Sequence, residues 1–383
     1  MSDEFGGVDV NPGRFSLNDK ISLRQLQALL ILEIFGFGVT GLPRRVAEVG
    51  GHDGWIFVVL AAFCAIGAAW VMARVVVRFE GMSFHGIVCR VLGKLIGTLL
   101  TFVFAMRLIL LAAFNLRIFG EIVRETLLPT TPFIAVFLAM LAIAAYGASK
   151  GIEARARVAE VLILVVLLPL ILVFGISGRE MDFSNLLPIF AGMDFSPDRL
   201  ASGIGRGFFA FSGIEIILLM GPYLSRPRHL GRSMAGAIGF IGIFMVIITM
   251  ATIARFGADG VVRLLWPVLR MMDTLSLPGS AIDRQGALIM TFWIISAFAI
   301  INAALFFSSL LIKDGLENIN IPAKHNICII ALIPIIAAIA LWPRNLAQVY
   351  ELIRLNNLTL GLVFMIAIPI LLLIISQIRR AAK

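Results

Sequence analysis

Long apolar runs, separated by charged connections, dominate this chain and limit what it can fold into. The ~30 Å hydrocarbon core of a bilayer is crossed by roughly 20 apolar residues in an α-helix. Barrel strands alternate apolar and polar residues, whereas these runs are apolar all round. The sequence therefore predicts an all-α integral membrane protein with ten transmembrane helices. The predicted spans are residues 23–48, 54–78, 96–126, 132–149, 157–177, 200–224, 232–256, 285–312, 324–342 and 357–378.

Composition supports lipid as the solvent of this chain. Only 14% of its residues are charged and 60% are hydrophobic, whereas a soluble domain carries about 25% charged residues. A net charge of +9 would suggest nucleic acid in a soluble protein, but these charges lie between apolar spans. We therefore expect the bilayer with its anionic headgroups as a partner, and no nucleic acid. Residues 1–22 lack a basic region followed by a short apolar core, so no cleavable signal peptide is expected.

Lysine and arginine positions predict the orientation and the domain plan. With the N-terminus inside, most of them fall in cytoplasmic segments, so both termini are predicted to be cytoplasmic. Residues 1–22 and 379–383 are then cytoplasmic tails of one transmembrane domain, residues 23–378. Its two halves are residues 23–177 and 200–378.

Two spans contain residues that interrupt a helix at mid-membrane. Several glycines lie together in span 1 and in span 6, and each costs about 1 kcal/mol relative to alanine in a helix interior. Freed backbone groups are tolerated where they line a cavity, and half-helix ends there suit a carboxylate and an ammonium. Spans 1 and 6 are each the first of five, which indicates inverted repeats around a ligand site. The candidate ligand-binding residues are Gly36, Phe37, Gly38, Val39, Thr40 and Gly41 in span 1, and Phe211, Ser212, Gly213 and Glu215 in span 6.

The alternative for these glycines is close helix packing through small residues. The intramembrane charges also leave alternatives open. Glu215 could hold a substrate ammonium, bond freed backbone N–H groups or pair with an arginine. Glu33 should be protonated or paired, and Arg107 is a candidate partner. Arg117 and Glu121 are four residues apart on one helical face, so a structural ion pair is expected.

The sequence shows no pattern typical of catalysis or of a metal site. Cys64, Cys89 and Cys328 are scattered, and no catalytic triad or phosphate loop is present. We expect no cofactor and no enzymatic activity. Ser308 and Ser309 could help to hold a sodium ion, although their hydroxyls could equally bond back to helix carbonyls.

An ordered set of motifs resembles one family along most of the chain. Gly36-Phe-Gly38, Leu42-Pro43 and Asp53-Gly-Trp55 resemble the start of the B subunits of spore germinant receptors, the germination permeases of the amino acid–polyamine–organocation superfamily. The likeness continues through Arg117 and Glu121, residues 131–132, 150–155, 174–177, 185–188, 211–215, 265–267 and 283–284, Trp293, and residues 341–343.

The resemblance implies a fold and a role. The implied fold is the LeuT-type five-plus-five inverted repeat. The implied location is the inner spore membrane. The role is a sensor that works with an A-type subunit and a lipoprotein C-type subunit, binds a nutrient such as an amino acid, and triggers germination. In this interpretation the backbone of residues 36–41 takes the carboxylate, and carbonyls near residues 211–213 take the amine. The alternative is an amino-acid secondary transporter coupled to protons or sodium, which the same fold would serve.

Overall fold

The computed structural model describes residues 20–126, 128, 130–178, 181–190, 196–225, 227–273 and 285–378. The predicted tails, residues 1–22 and 379–383, therefore lie wholly or largely outside the described residues. Across the described ranges the chain is helical and forms no strand, apart from an isolated bridge between Ile21 and Leu224. The all-α prediction is confirmed.

The α-helices are α1 (Leu23–Gly38), α2 (Leu42–Gly50), α3 (Gly54–Arg78), α4 (Phe84–Leu92), α5 (Lys94–Thr126), α6 (Phe133–Ser149), α7 (Gly151–Ser177), α8 (Pro197–Phe208), α9 (Leu230–Arg263), α10 (Pro267–Asp273), α11 (Gln285–Asn318), α12 (His325–Leu341), α13 (Leu346–Asn356) and α14 (Ile368–Ile378).

Five helical stretches within the described residues are long and apolar enough to cross a membrane. A sixth is present if α6 and α7, which bend by 118° at their junction, count as one span. The structure thus supports a multi-pass membrane protein, while the ten-span layout remains a prediction. The five stretches are Leu42–Arg78, Lys94–Glu125, Pro227–Arg263, Trp293–Asn318 and Leu346–Ile378.

The interruption predicted in span 1 is present. A capping box between Ser22 and Gln25 starts α1, which ends at Gly38. The chain turns through three residues, and Pro43 lies in the first turn of α2, where a proline costs no hydrogen bond. Through a 3₁₀ turn, α2 then leads into α3.

The interruption in span 6 is also present, but its second half is not the α-helix that was expected. After α8 the chain forms the 3₁₀ turns Phe209–Phe211 and Ile214–Leu219, with Gly213 in the left-handed region at φ 111° between them. Three β-branched isoleucines in the second turn disfavour a regular α-helix, and Pro222 lacks the N–H that would extend one.

A buried core joins α1, α3, α5, α9 and α11, and apolar side chains also cover much of the outside. Val161 and Leu164 on α7 and Ile330 on α12 are at least 63% exposed. An exposed apolar surface of this extent suits contact with lipid rather than water.

Candidate ligand-binding region at the two helix breaks

The first break packs closely against its neighbours. A Cβ added to Gly36 would lie 2.7 Å from the carbonyl oxygen of Ser296 on α11. A Cβ on Gly38 would lie 2.5 Å from the carbonyl oxygen of Ala210 and would also collide with Met245. The glycines therefore bring the end of α1 against the second break, so both the broken helix and the small-residue packing occur here.

One backbone group freed by the first break has a side-chain partner. The carbonyl oxygen of Gly38 accepts a hydrogen bond from Arg45 Nη2 on α2 at 3.4 Å. Val39 is buried and Thr40 is partly buried beside it, while the side chain of Phe37 lies outside the described part of the structure. That residues 36–41 bind a carboxylate stays a prediction.

Glu215 fixes the second break. Its Oε2 accepts a hydrogen bond from the backbone N–H of Gly213 at 2.8 Å, and the carboxylate is fully buried. The sequence left three roles open for Glu215, and the structure shows it bonding a freed backbone N–H.

The same carboxylate pairs with Arg107 of α5. Arg107 Nη2 lies 2.7 Å from Glu215 Oε1, and Arg107 Nε donates to that oxygen at 2.9 Å. Nη2 also donates to Ser212 Oγ at 2.8 Å. Arg107 therefore pairs with Glu215 rather than with the candidate partner Glu33, because this face of α5 packs against the break in span 6.

Arg107 also reaches the last predicted span. Its Nη1 lies 3.4 Å from Asn357 Oδ1 and 3.5 Å from the backbone oxygen of Asn356. Asn357 starts a π-helical turn, Asn357–Gly361, and such turns are frequent at functional sites. Sequence reasoning missed both asparagines, since their polar side chains near a span end are typical of a membrane boundary.

The resulting cluster of Arg107, Ser212, Glu215 and Asn357 joins three separate segments in the protein interior. Removing one partner of a buried ion pair leaves the other uncompensated, at a cost of about 3–5 kcal/mol. The cluster can therefore lock the break in span 6 to α5, and a ligand that competes for any of these groups would release it.

The second predicted ion pair lies away from the breaks. Arg117 Nη2 is 2.9 Å from Glu121 Oε1, and Arg124 Nη2 is 3.1 Å from Glu121 Oε2. The Arg117 guanidinium also lies 5.1 Å from the ring centre of Phe133, at the start of α6. These contacts link the end of α5 to the start of α6.

The serines considered for sodium bond back to their own helix. Ser308 Oγ donates to the carbonyl oxygen of Leu305 at 3.2 Å, and Ser309 Oγ donates to that of Phe306 at 2.8 Å. This is the back-bonding alternative that the sequence left open.

A cavity of about 250 Å³ lies between α1, α6, α7 and α11. Glu33 and Arg155 both line it and both are buried. Sequence reasoning placed Arg155 in a cytoplasmic connection, because charged neighbours surround it. The signal it missed is helical spacing: Ile152, Arg155 and Ala159 share one buried face of α7.

The fold and the buried cluster define a multi-pass helical membrane protein with a polar centre at two broken helices. The particular family follows from sequence comparison. The sequence model of the spore permease family, described as spore germination protein, matches residues 20–349, and the chain belongs to this family.

Curated relatives agree with this assignment. Spore germination protein YndE of Bacillus subtilis is 26% identical over 370 residues, which cover 96% of this chain and 99% of that protein. Spore germination protein B2 of Bacillus subtilis is 25% identical over 92% of this chain and 93% of its own length. Spore germination protein GerQB of Bacillus cereus is 26% identical over 83% and 85%. The resemblance read from the motifs is confirmed.

Proposed function

We propose that this protein is the membrane subunit of a spore germinant receptor that binds a small nutrient, such as an amino acid, at mid-membrane and triggers germination. The observation that carries the proposal is the buried cluster of Arg107, Ser212 and Glu215 where two broken helices meet. Membership of the spore germination family supports the role in germination. The proposed activity is binding and signalling, not chemical conversion.

The proposed architecture is the LeuT-type arrangement of ten spans in two inverted repeats, with both termini cytoplasmic. The close approach of Gly38 to Ala210 supports a site shared by spans 1 and 6. A nutrient carboxylate would take backbone N–H groups of residues 36–41. Its amine would take carbonyls near residues 211–213, close to Glu215.

The proposed setting is the inner spore membrane, in a complex with an A-type subunit and a lipoprotein C-type subunit. The buried ion pair suggests how binding could reach those partners. A nutrient amine that competes with Arg107 for Glu215 would free the break in span 6 from α5. The exposed ends of both elements would then shift relative to each other.

The test is germination of spores whose only functional copy of this protein carries Gly38→Val. We expect these spores to lose the nutrient response, because the added isopropyl group cannot fit against Ala210 and Met245. Gly239→Val is the matched control, since a Cβ at Gly239 on α9 meets no described atom within 4 Å. Germination is followed as the fall in optical density after each of the twenty amino acids is added.

Two outcomes would contradict the proposal. A normal response of Gly38→Val spores with wild-type protein levels would show that the site does not lie at the first break. The receptor role itself would be contradicted if spores that lack the protein still respond normally to every nutrient that triggers germination of the parent strain.

A coupled amino-acid transporter is the second candidate, favoured by one observation. Glu33 is buried, and its Oε1 has no hydrogen-bond partner within the described part of the chain, as expected of a carboxyl that exchanges a proton. Uptake of a labelled amino acid into liposomes that contain this protein alone, driven by a proton or sodium gradient, would favour the transporter.

A further inference from the structure

The cavity beside α1 contains two charged groups with unsatisfied hydrogen-bonding atoms. Glu33 Oε1 and Arg155 Nη1 are both buried, and neither has a hydrogen-bond partner among the residues that the structure describes. Both side chains line the cavity, one from α1 and the other from α7. A buried polar atom without a partner is costly, and a charged one more so. The two opposite charges attract each other. Their two unsatisfied atoms still lack hydrogen-bond partners, which a ligand in this cavity can supply.

Arg155 is held in place by its neighbours. Its Nε donates to Asn302 Oδ1 at 2.5 Å, and Asn302 Nδ2 donates in turn to the carbonyl oxygen of Ala144 at 2.8 Å. The guanidinium lies 4.7 Å and 5.0 Å from the ring centres of Phe306 and Phe307. These contacts fix the guanidinium but leave Nη1 free, which is the arrangement of a preorganised carboxylate site.

The rest of the cavity wall is mainly apolar. Leu32, Leu162 and Phe298 come from three different helices around the two charged groups. Lys150, also on the wall, is exposed at the junction of α6 and α7, with its Nζ 4.4 Å from the ring centre of Tyr146. The wall thus suits a compact apolar body, and the open end carries a positive charge that would attract an anionic group.

We propose that this cavity binds a free amino acid with an apolar side chain, its ammonium on Glu33 and its carboxylate on Arg155. One zwitterion satisfies both buried charges, whereas a lipid acyl chain satisfies neither. The site lies between α1, α6, α7 and α11 and is separate from the backbone site at the breaks.

The position of Glu33 couples the cavity to the break in span 6. A Cβ on Gly213 would lie 3.2 Å from Glu33 Cγ, so the two residues are in contact. The N–H of Gly213 is the group that Glu215 holds, and Glu215 is the partner of Arg107. A ligand ammonium that draws Glu33 toward the cavity would therefore change the packing beside Gly213, whose N–H belongs to the buried cluster.

The test is binding of L-leucine to the full-length protein purified in detergent. Thermal shift and calorimetry compare it with 3-methylbutylamine, which lacks the carboxylate, and 4-methylpentanoate, which lacks the amine. We expect L-leucine to raise the melting temperature in a concentration-dependent way. Each analogue should bind at least about tenfold more weakly, since each forfeits a charge-assisted contact.

Three variants test the position of the site, and a fourth serves as the control. Glu33→Gln and Arg155→Gln should each weaken L-leucine at least about tenfold. Arg157→Gln is the matched control, because Arg157 lies two residues further along α7, is 57% exposed and pairs only with Glu153 among the described ion pairs. Ala299→Leu fills the cavity from α11 and should abolish binding while the unliganded protein stays folded.

Three results would overturn the proposal. The first is equal binding of L-leucine and both analogues, which would indicate an apolar crevice for lipid or detergent. The second is unchanged L-leucine binding in the Ala299→Leu variant. The third is absence of any L-leucine binding by the wild-type protein. L-leucine binding that Gly38→Val abolishes and Ala299→Leu leaves intact would reject this cavity and keep the site at the breaks, so the two proposals fail independently.

Discussion

Arg107 and Glu215 lie 108 residues apart in the sequence and meet in the protein interior, with 2.7 Å between Nη2 and Oε1 and no solvent exposure of either side chain. The pair joins α5 to a break where the backbone itself makes few regular hydrogen bonds. Glu215 also holds the N–H of Gly213, so one carboxylate both neutralises the arginine and shapes the turn.

We predict that Arg107→Met lowers the free energy of unfolding by about 3–5 kcal/mol, because it leaves Glu215 buried without its cation. The double variant Arg107→Met with Glu215→Met should recover part of this loss, and a double-mutant cycle measures the coupling. Arg157→Met is the control, since an exposed pair contributes roughly 0–1 kcal/mol. Additive effects of the two core substitutions would show that the pair does not stabilise the fold as a unit.

Gly213 should tolerate substitution poorly for two independent reasons. Its φ of 111° disfavours any L side chain, and an added Cβ would press on Glu33. We predict that Gly213→Ala lowers stability by about 1–3 kcal/mol, measured by thermal unfolding. Combining it with Glu33→Ala should recover the part caused by crowding. Gly67→Ala on α3, where a Cβ meets none of the atoms that the structure describes within 4 Å, should leave the melting temperature unchanged or raise it slightly.

The broken spans could be predicted from sequence, because glycine clusters act locally and are visible within a few residues. The partner of Arg107 could not be predicted, since the residues near Arg107 do not indicate which distant segment packs against its face of α5. Arg155 shows the same limit. Its neighbours Glu153 and Arg157 form an exposed ion pair, so the run resembles a solvated helix start. Only packing against Phe306 and Phe307 shows that Arg155 faces inward.

His85 on α4 should make stability depend on pH. Partial burial lowers its pKa below the ordinary value of 6.5, with Asp314 opposing the effect. The folded state therefore favours the neutral ring. Stability should be highest above pH 6.5 and should fall as the pH drops from the unfolded pKa through the lower folded pKa, because the unfolded state then binds more protons.

The comparison for His85 is a pH series of melting temperatures from pH 7.5 to 5 for wild type, His85→Gln and the exposed His229→Gln. Glutamine can still bond Thr101 Oγ1, which lies 2.9 Å from His85 Nδ1. We expect His85→Gln to flatten the acid side of the profile and His229→Gln to leave it unchanged. Identical profiles for wild type and His85→Gln would assign the pH dependence to other groups.

The bent pair α6–α7 decides between a ten-span chain and a shorter one, and cysteine labelling can resolve it. If α6 and α7 each cross the membrane, Thr130 and Ser184 lie on the outer side, with Ser149 at the cytoplasmic junction. If the pair is one broken span, Thr130 and Ser184 lie on opposite sides.

Single cysteines at these three positions, in a chain whose Cys64, Cys89 and Cys328 are replaced by alanine, are exposed to a membrane-impermeant maleimide in intact and permeabilised cells. We expect labelling of Thr130→Cys and Ser184→Cys in intact cells and of Ser149→Cys only after permeabilisation, because positive charge at Lys150 and Arg157 favours the cytoplasmic side. Opposite accessibility of Thr130→Cys and Ser184→Cys would instead reduce the number of spans by one and end the symmetry of two five-helix halves.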